Sequence, residues 1–101
     1  MTRFEKWIEI PNYNGVYKVN NIGDVIRIRN GKEIFLSKRI SNAGYYRVTL
    51  HKYGKRKTYF IHQLVAMAFL NHKPNGNVLV INHKDFNKTN NNIDNLEIVT
   101  N

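Results

Sequence analysis

The sequence predicts an α+β protein: a small antiparallel β-sheet, then one helix, then a short C-terminal β-hairpin. Three observations carry this reading. Residues 7–60 hold short runs of alternating apolar and polar residues, punctuated by turn pairs. Residues 62–70 form one unbroken run at helical spacing. Beyond them, two apolar stretches flank an Asn-rich segment. Period two is the mark of strands and a period near 3.6 that of helices, so these patterns assign element types.

Taken in order, Trp7-Ile8-Glu9-Ile10 precedes a Pro11-Asn12 turn, and Val16–Val19 alternates before Asn20-Asn21-Ile22-Gly23. In Val25–Arg29 the period of two puts Val25, Arg27 and Arg29 on one face and Ile26 and Ile28 on the other. Asn30-Gly31 signals a two-residue hairpin turn into Ile34-Phe35-Leu36, because both residues tolerate positive φ. Tyr45–Lys52 is the clearest strand; Tyr53-Gly54-Lys55 turns it back into Lys57–Ile61. His62–Leu70 lacks Gly and Pro and places Leu64, Val65, Ala68 and Phe69 at helical spacing. Residues 71–77, with Pro74 and Gly76, break that helix, and Val78–Ile81 is a short apolar strand. The expected core is Trp7, Val19, Ile26, Ile28, Val48, Leu50, Leu64, Val65, Phe69, Val80 and Leu96, with basic side chains on the outer sheet face.

A length of 101 residues with 42% hydrophobic content suits one small folded domain. No cysteine is present, which excludes disulfides and thiolate metal sites. No apolar run reaches the length of a membrane span, and the N-terminus lacks the apolar stretch of a signal peptide, so a cytoplasmic location is expected. Charge is the strongest bulk signal: the net charge is +9. Between Arg27 and Lys57 lie ten basic residues and a single acid, Glu33. Such a field attracts polyanions. The candidate nucleic-acid contacts are Arg27, Arg29, Lys38, Arg39, Arg47, Lys52, Lys55, Arg56 and Lys57, with Tyr46 among them; these charges lie on strands, which argues against a membrane surface.

Several motifs recur in a familiar order. They are Trp7, Ile10–Asn20, Gly23-Asp24-Val25 and Gly44–Leu50, then Ile61–Phe69, then Asn82-His83-Lys84-Asp85, Asn87–Asn91, Asp94–Glu97 and Val99-Thr100. In these the chain resembles the HNH homing endonucleases of phages and mobile introns, in the group with an N-terminal NUMOD-type DNA-binding motif. The resemblance implies a basic β-rich DNA-binding region over 1–60 and a partial HNH region over 61–101. It also implies a ββα-metal hairpin in which His83 is the general base. An imidazole suits that role because its pKa lies near neutrality. Asn82 would lie at the metal, and Asn95 would tie the hairpin loop and orient the histidine. Oxygen ligands would favour Mg²⁺ or Mn²⁺.

The departures from the pattern set further expectations. The family's last metal-ligand helix follows the second hairpin strand, and here only Asn101 follows Thr100. Asn82 is a neutral ligand, Phe86 stands where Gly is usual, and Ile98 where Trp is usual. The resemblance therefore implies duplex DNA binding with weak or lost metal-dependent cleavage. Two alternatives stand beside it. One is an active Mg²⁺-dependent nickase, its site completed by a homo-oligomer. The other is a repurposed phage binding protein, directed at a host defence protein or a nucleotide signal. His62 reads as a structural residue whose ring bonds a nearby carbonyl, and His51 and His72 as surface residues. Asp85 and Asp94 read as loop-closing residues.

Overall fold

The computed structural model describes residues 5–71 and 79–100. The expected contributions of Val78 and His72, and of Pro74 and Gly76, lie outside the described residues. Strands β1 (Trp7–Glu9), β2 (Tyr17–Asn20), β3 (Val25–Arg29) and β4 (Lys32–Phe35) form an antiparallel meander. Strands β5 (Arg39–Ile40), β6 (Tyr46–Lys52) and β7 (Lys55–Phe60) form a second antiparallel sheet. Helix α1 (Ile61–Phe69) follows β7 directly. Strands β8 (Leu79–His83) and β9 (Leu96–Thr100) then pair as a hairpin, with a 3-10 turn at Ile93–Asn95 between them. The α+β class and the helix are as the sequence reads, but residues 7–60 make two sheets where one was expected. Alternation identifies strands and says nothing of which strands pair across a long connection.

The turn chemistry follows the sequence. Asn30 and Gly31 adopt φ of 51° and 75° and pair Arg29 with Lys32. Tyr53 and Gly54 adopt 53° and 74° and pair Lys52 with Lys55. Helix α1 begins with Phe60 N–H donating to Gln63 Oε1 at 3.3 Å, and it ends at Leu70, after which Asn71 takes a left-handed φ of 54°.

The core lies where α1 meets the three sheets. Ile61, Leu64, Val65 and Ala66 are buried, and Tyr17, Val19, Val25, Val48, Leu50 and Leu96 are buried with them. Strand β3 is buried on both faces at its start, where one apolar face was expected. Val25 joins the main cluster with Tyr17 and Val19. Ile26, also buried, points to the other face, where its register partner Phe35 meets Trp7 at a ring separation of 6.1 Å. Trp7, Ile28, Phe69 and Val80 are half-buried at the margin. The structure also buries Ile10 and Tyr13, which lie outside the expected core. Two hydroxyl contacts tie the sheets: His51 N–H donates to Tyr17 Oη at 3.0 Å, and the Tyr13 and Tyr59 hydroxyls are 3.0 Å apart.

Truncating a fully buried helix residue removes packing on three sides. Leu64→Ala is expected to cost about 2–5 kcal/mol. Phe69→Ala, at the half-buried end of α1, is expected to cost less. Thermal melting of the two variants checks the order, and equal losses would place Phe69 deeper than it lies.

Candidate active site and basic surface

The hairpin presents the residues singled out from sequence. His83 ends β8 and is 6% exposed. Its Nε2 lies 2.8 Å from Asn91 Oδ1. Its ring packs against His62 at 5.1 Å and Tyr45 at 5.8 Å, centroid to centroid. It lines an open cavity of about 160 Å³ shared with Tyr45, Ile81, Asn82, Phe86 and Lys88. Asn82 and Glu97 are register partners, and Asn82 Nδ2 donates to Glu97 Oε1 at 2.8 Å. A carboxylate thus accompanies the neutral amide. Sequence reasoning missed Glu97, although hairpin register pairs these positions once the loop length is known. Lys88 was missed as well; its Nζ sits 5.1 Å from the Tyr45 ring centre and donates to Ala43 O at 2.9 Å.

Asn95 organises the loop. Its side chain accepts from Asp85 N–H at 3.0 Å and donates to Asp85 Oδ1 and to Asn90 O, both at 2.9 Å. Asp85 closes the same loop, accepting from Asn87 N–H and from Asn90 Nδ2, both at 2.8 Å. These donors, Asn90 first, hold its carboxyl below the usual value. Asp94 N–H donates to Asn92 Oδ1 at 3.0 Å and so starts the 3-10 turn. The side chain that hydrogen-bonds the His83 ring is Asn91. Phe86 has a φ of 61° and is 87% exposed, which gives a physical reason for a glycine preference at that place.

The expected hydrogen bond from the His62 ring is not made at Nδ1, which is buried without a partner among the described residues. The ring instead stacks on Phe60 at 5.4 Å and lies 5.0 Å from Tyr45. Loss of solvent, and then the nearby His83, push its pKa down from 6.5 to about 4.

The basic residues divide between surfaces. In the β5–β7 sheet, Arg39 pairs with Arg47, Thr49 with Thr58 and His51 with Arg56, all on one face. They line two adjoining open grooves of about 370 and 510 Å³. Lys52, Lys55 and Lys57 alternate to the other face, where Lys52 lies over Tyr13 and Tyr53, and Lys57 over Tyr59. Lys38 pairs with Asp24 at 2.8 Å and lies over the half-buried Tyr46 ring. Arg29 is exposed. Arg27 is half-buried on the Val25 face, and its Nε is buried without a partner among the described residues. His51 is exposed, as expected.

Comparison with known proteins agrees with this geometry. Residues 5–51 match the NUMOD4 motif, and residues 59–101 match the HNH endonuclease model. The chain belongs to the HNH homing endonuclease family. It is 44% identical over 95 residues to the DNA endonuclease I-HmuI of Bacillus phage SP01, covering 94% of this chain and 52% of that protein. It is 32% identical over 98 residues to the H-N-H endonuclease F-TflII of Escherichia phage T5, covering 97% of this chain and 49% of the relative. The solved structure of I-HmuI, described as showing DNA binding and cleavage, superposes with a TM-score of 0.80 at 43% identity, over 94% of this chain and 52% of that one. The chain thus spans about half the length of these relatives. Among the described residues no helix is long and apolar enough to cross a membrane.

Two outcomes follow from the site's local physics. His62 binds protons in the unfolded chain near pH 6.5 but in the folded chain only near pH 4. Stability is therefore full above pH 6.5 and falls as pH drops from there towards 4, by on the order of 3–4 kcal/mol. His62→Phe should flatten melting temperature over that window; an unchanged slope would assign the acid sensitivity to other groups. Phe86→Gly relieves a left-handed backbone and is expected to stabilise by up to about 1 kcal/mol. A lowered melting temperature in that variant would show the strain to be absent.

Proposed function

We propose that this chain binds duplex DNA on the Arg39–Arg47–Arg56 face of the β5–β7 sheet and hydrolyses a phosphodiester slowly at the His83 cavity. The observation that carries the reading is the convergence of His83, Asn82 and Lys88 on one open cavity, in a domain whose neighbouring sheet face holds three exposed arginines. Arginine forks suit phosphate oxygens, and the threonines between them add neutral donors. At the cavity, His83 accepts the proton of a water that attacks phosphorus. Lys88 offers an ammonium to the non-bridging oxygens. Tyr45 and the half-buried His62 exclude solvent from one side of the imidazole.

The donor chemistry fits a hard divalent cation. The amide oxygen of Asn82 and the carboxylate of Glu97 would hold it, and both are oxygen ligands of the kind Mg²⁺ and Mn²⁺ prefer. Such a cation, when bound, neutralises charge at the scissile phosphate and the leaving oxygen. Among the described residues no three His, Asp or Glu side chains gather into a fuller set. One carboxylate and one amide make a weak site, and this supports slow cleavage.

The test has two arms. Duplex affinity, measured by fluorescence anisotropy, is expected to fall steeply with salt, with a log–log slope near about −0.9 per phosphate contact. Replacing Arg39, Arg47 and Arg56 with Ala should lower both affinity and slope. No detectable binding at low salt would remove the DNA reading and turn attention to a protein or nucleotide ligand. Plasmid nicking should be slow, dependent on added Mg²⁺ or Mn²⁺, and lost in His83→Ala. Fast nicking that saturates at low cation concentration would overturn the weak-site reading.

A further inference from the structure

Asn91 is polar yet only 3% exposed, in a loop whose other side chains mostly reach solvent. Burying an amide is costly unless it is hydrogen-bonded. Its oxygen lies 2.8 Å from Nε2 of His83. An amide oxygen can only accept, so a neutral imidazole facing it must carry its proton on Nε2. The second ring nitrogen, Nδ1, is then left with a lone pair. We infer that Asn91 is a positioning residue that holds His83 in the Nε2–H tautomer, so that Nδ1 is the proton acceptor presented to the cavity. The inference rests on the reading of His83 as the base. In the opposite tautomer Nδ1 would carry a hydrogen and could not take a proton from water.

The fold fixes Asn91 from the far side. Gly23, in the turn between β2 and β3 with a φ of +95°, lies so close that a Cβ added there would stand 2.9 Å from Asn91 Cβ and 3.1 Å from Ile61 Cγ2. Ile93 N–H donates to Asn21 O at 2.8 Å, which ties the same loop to the same turn. The N-terminal sheet thereby sets where the amide oxygen sits. Asn95 does a separate job, since its side chain bonds Asp85 and Asn90.

The tautomer is read directly by long-range ¹H–¹⁵N correlation of the histidine rings in the ¹⁵N-labelled full chain at alkaline pH. The His83 signals are those missing from His83→Gln. The wild type should show a protonated Nε2 and an unprotonated Nδ1. Asn91→Asp, which keeps an acceptor in place, should preserve that pattern. Asn91→Leu, which removes it, should mix the two tautomers and lower nicking several-fold, through the share of His83 that then carries its hydrogen on Nδ1 and the lost hold on the ring, while duplex affinity stays within about twofold of wild type. A protonated Nδ1 in the wild type overturns the inference, and this result needs no folded variant. An unchanged tautomer in Asn91→Leu overturns it equally. Absence of nicking in the wild type would tell against the cleavage reading alone, because the spectrum decides the tautomer without reference to activity.

Discussion

One nine-residue helix carries the fold. Helix α1 packs against strands of all three sheets and against the 3-10 turn of the hairpin loop. An isolated helix of this length is unstable in water, and a two-stranded hairpin is marginal. Neither the helix nor the β8–β9 hairpin would stand alone. Ile61, Leu64, Val65 and Ala66 make them stable together, because each is no more than 1% exposed. Burying a Leu, Ile or Val side chain contributes about 1.5–3 kcal/mol, so these few residues matter out of proportion to their number. The sheets depend on the helix to cover their apolar faces, and the helix depends on the sheets to exist.

The hairpin loop solves a different problem. Between His83 and Leu96 few buried apolar side chains hold it, so hydrogen bonds must. Asp85, Asn87, Asn90, Asn92 and Asn95 bond to one another and to nearby backbone amides. Short amide side chains can imitate a backbone turn, which is why a run rich in Asn is ordered here. Asn91 turns inward instead, and it meets the histidine.

Much of this was legible in the sequence. The helix lies within a residue of its expected place, because its period is unambiguous and Asn71 follows it. The Asn30-Gly31 turn was legible because both residues tolerate positive φ. The burial of β3 on both faces was not legible. Ile26 and Ile28 on one side looked more apolar than Val25, Arg27 and Arg29 on the other. Tyr17 and Val19, packed from β2, bury Val25 as well, and the half-buried Arg27 shows that the core face is edged by charge. His83, Asn82 and Asn95 could be named from motif resemblance, but their companions could not. Glu97 reaches Asn82 through strand register, Lys88 reaches Tyr45 from a distant part of the sequence, and Asn91 meets His83 by the path of the loop. Contacts of that kind are set by the folded geometry and leave no local pattern. The split of the basic residues, with Arg47 and Arg56 on one face and Lys52, Lys55 and Lys57 on the other, is different. It follows from period two, and alternation along the chain is enough to read it.

The same geometry bears on how binding and chemistry would be joined. Strand β7 runs into α1 without a linker, so Thr58 on the arginine face, Phe60 at the strand end and His62 beside His83 are nearly consecutive. The Phe60 and His62 rings stack at 5.4 Å across the junction. His62 is neutral at physiological pH, since its pKa is pushed down to about 4, and it therefore places no positive charge next to the imidazole of His83. No loop residue separates the end of β7 from the start of α1. If DNA lies on the arginine face, the distance along it from that face to the cleaved phosphate is set by the β7–α1 junction, braced from the opposite side by Gly23 against Asn91. Binding register and cleavage position then become one structural quantity, fixed by packing around α1.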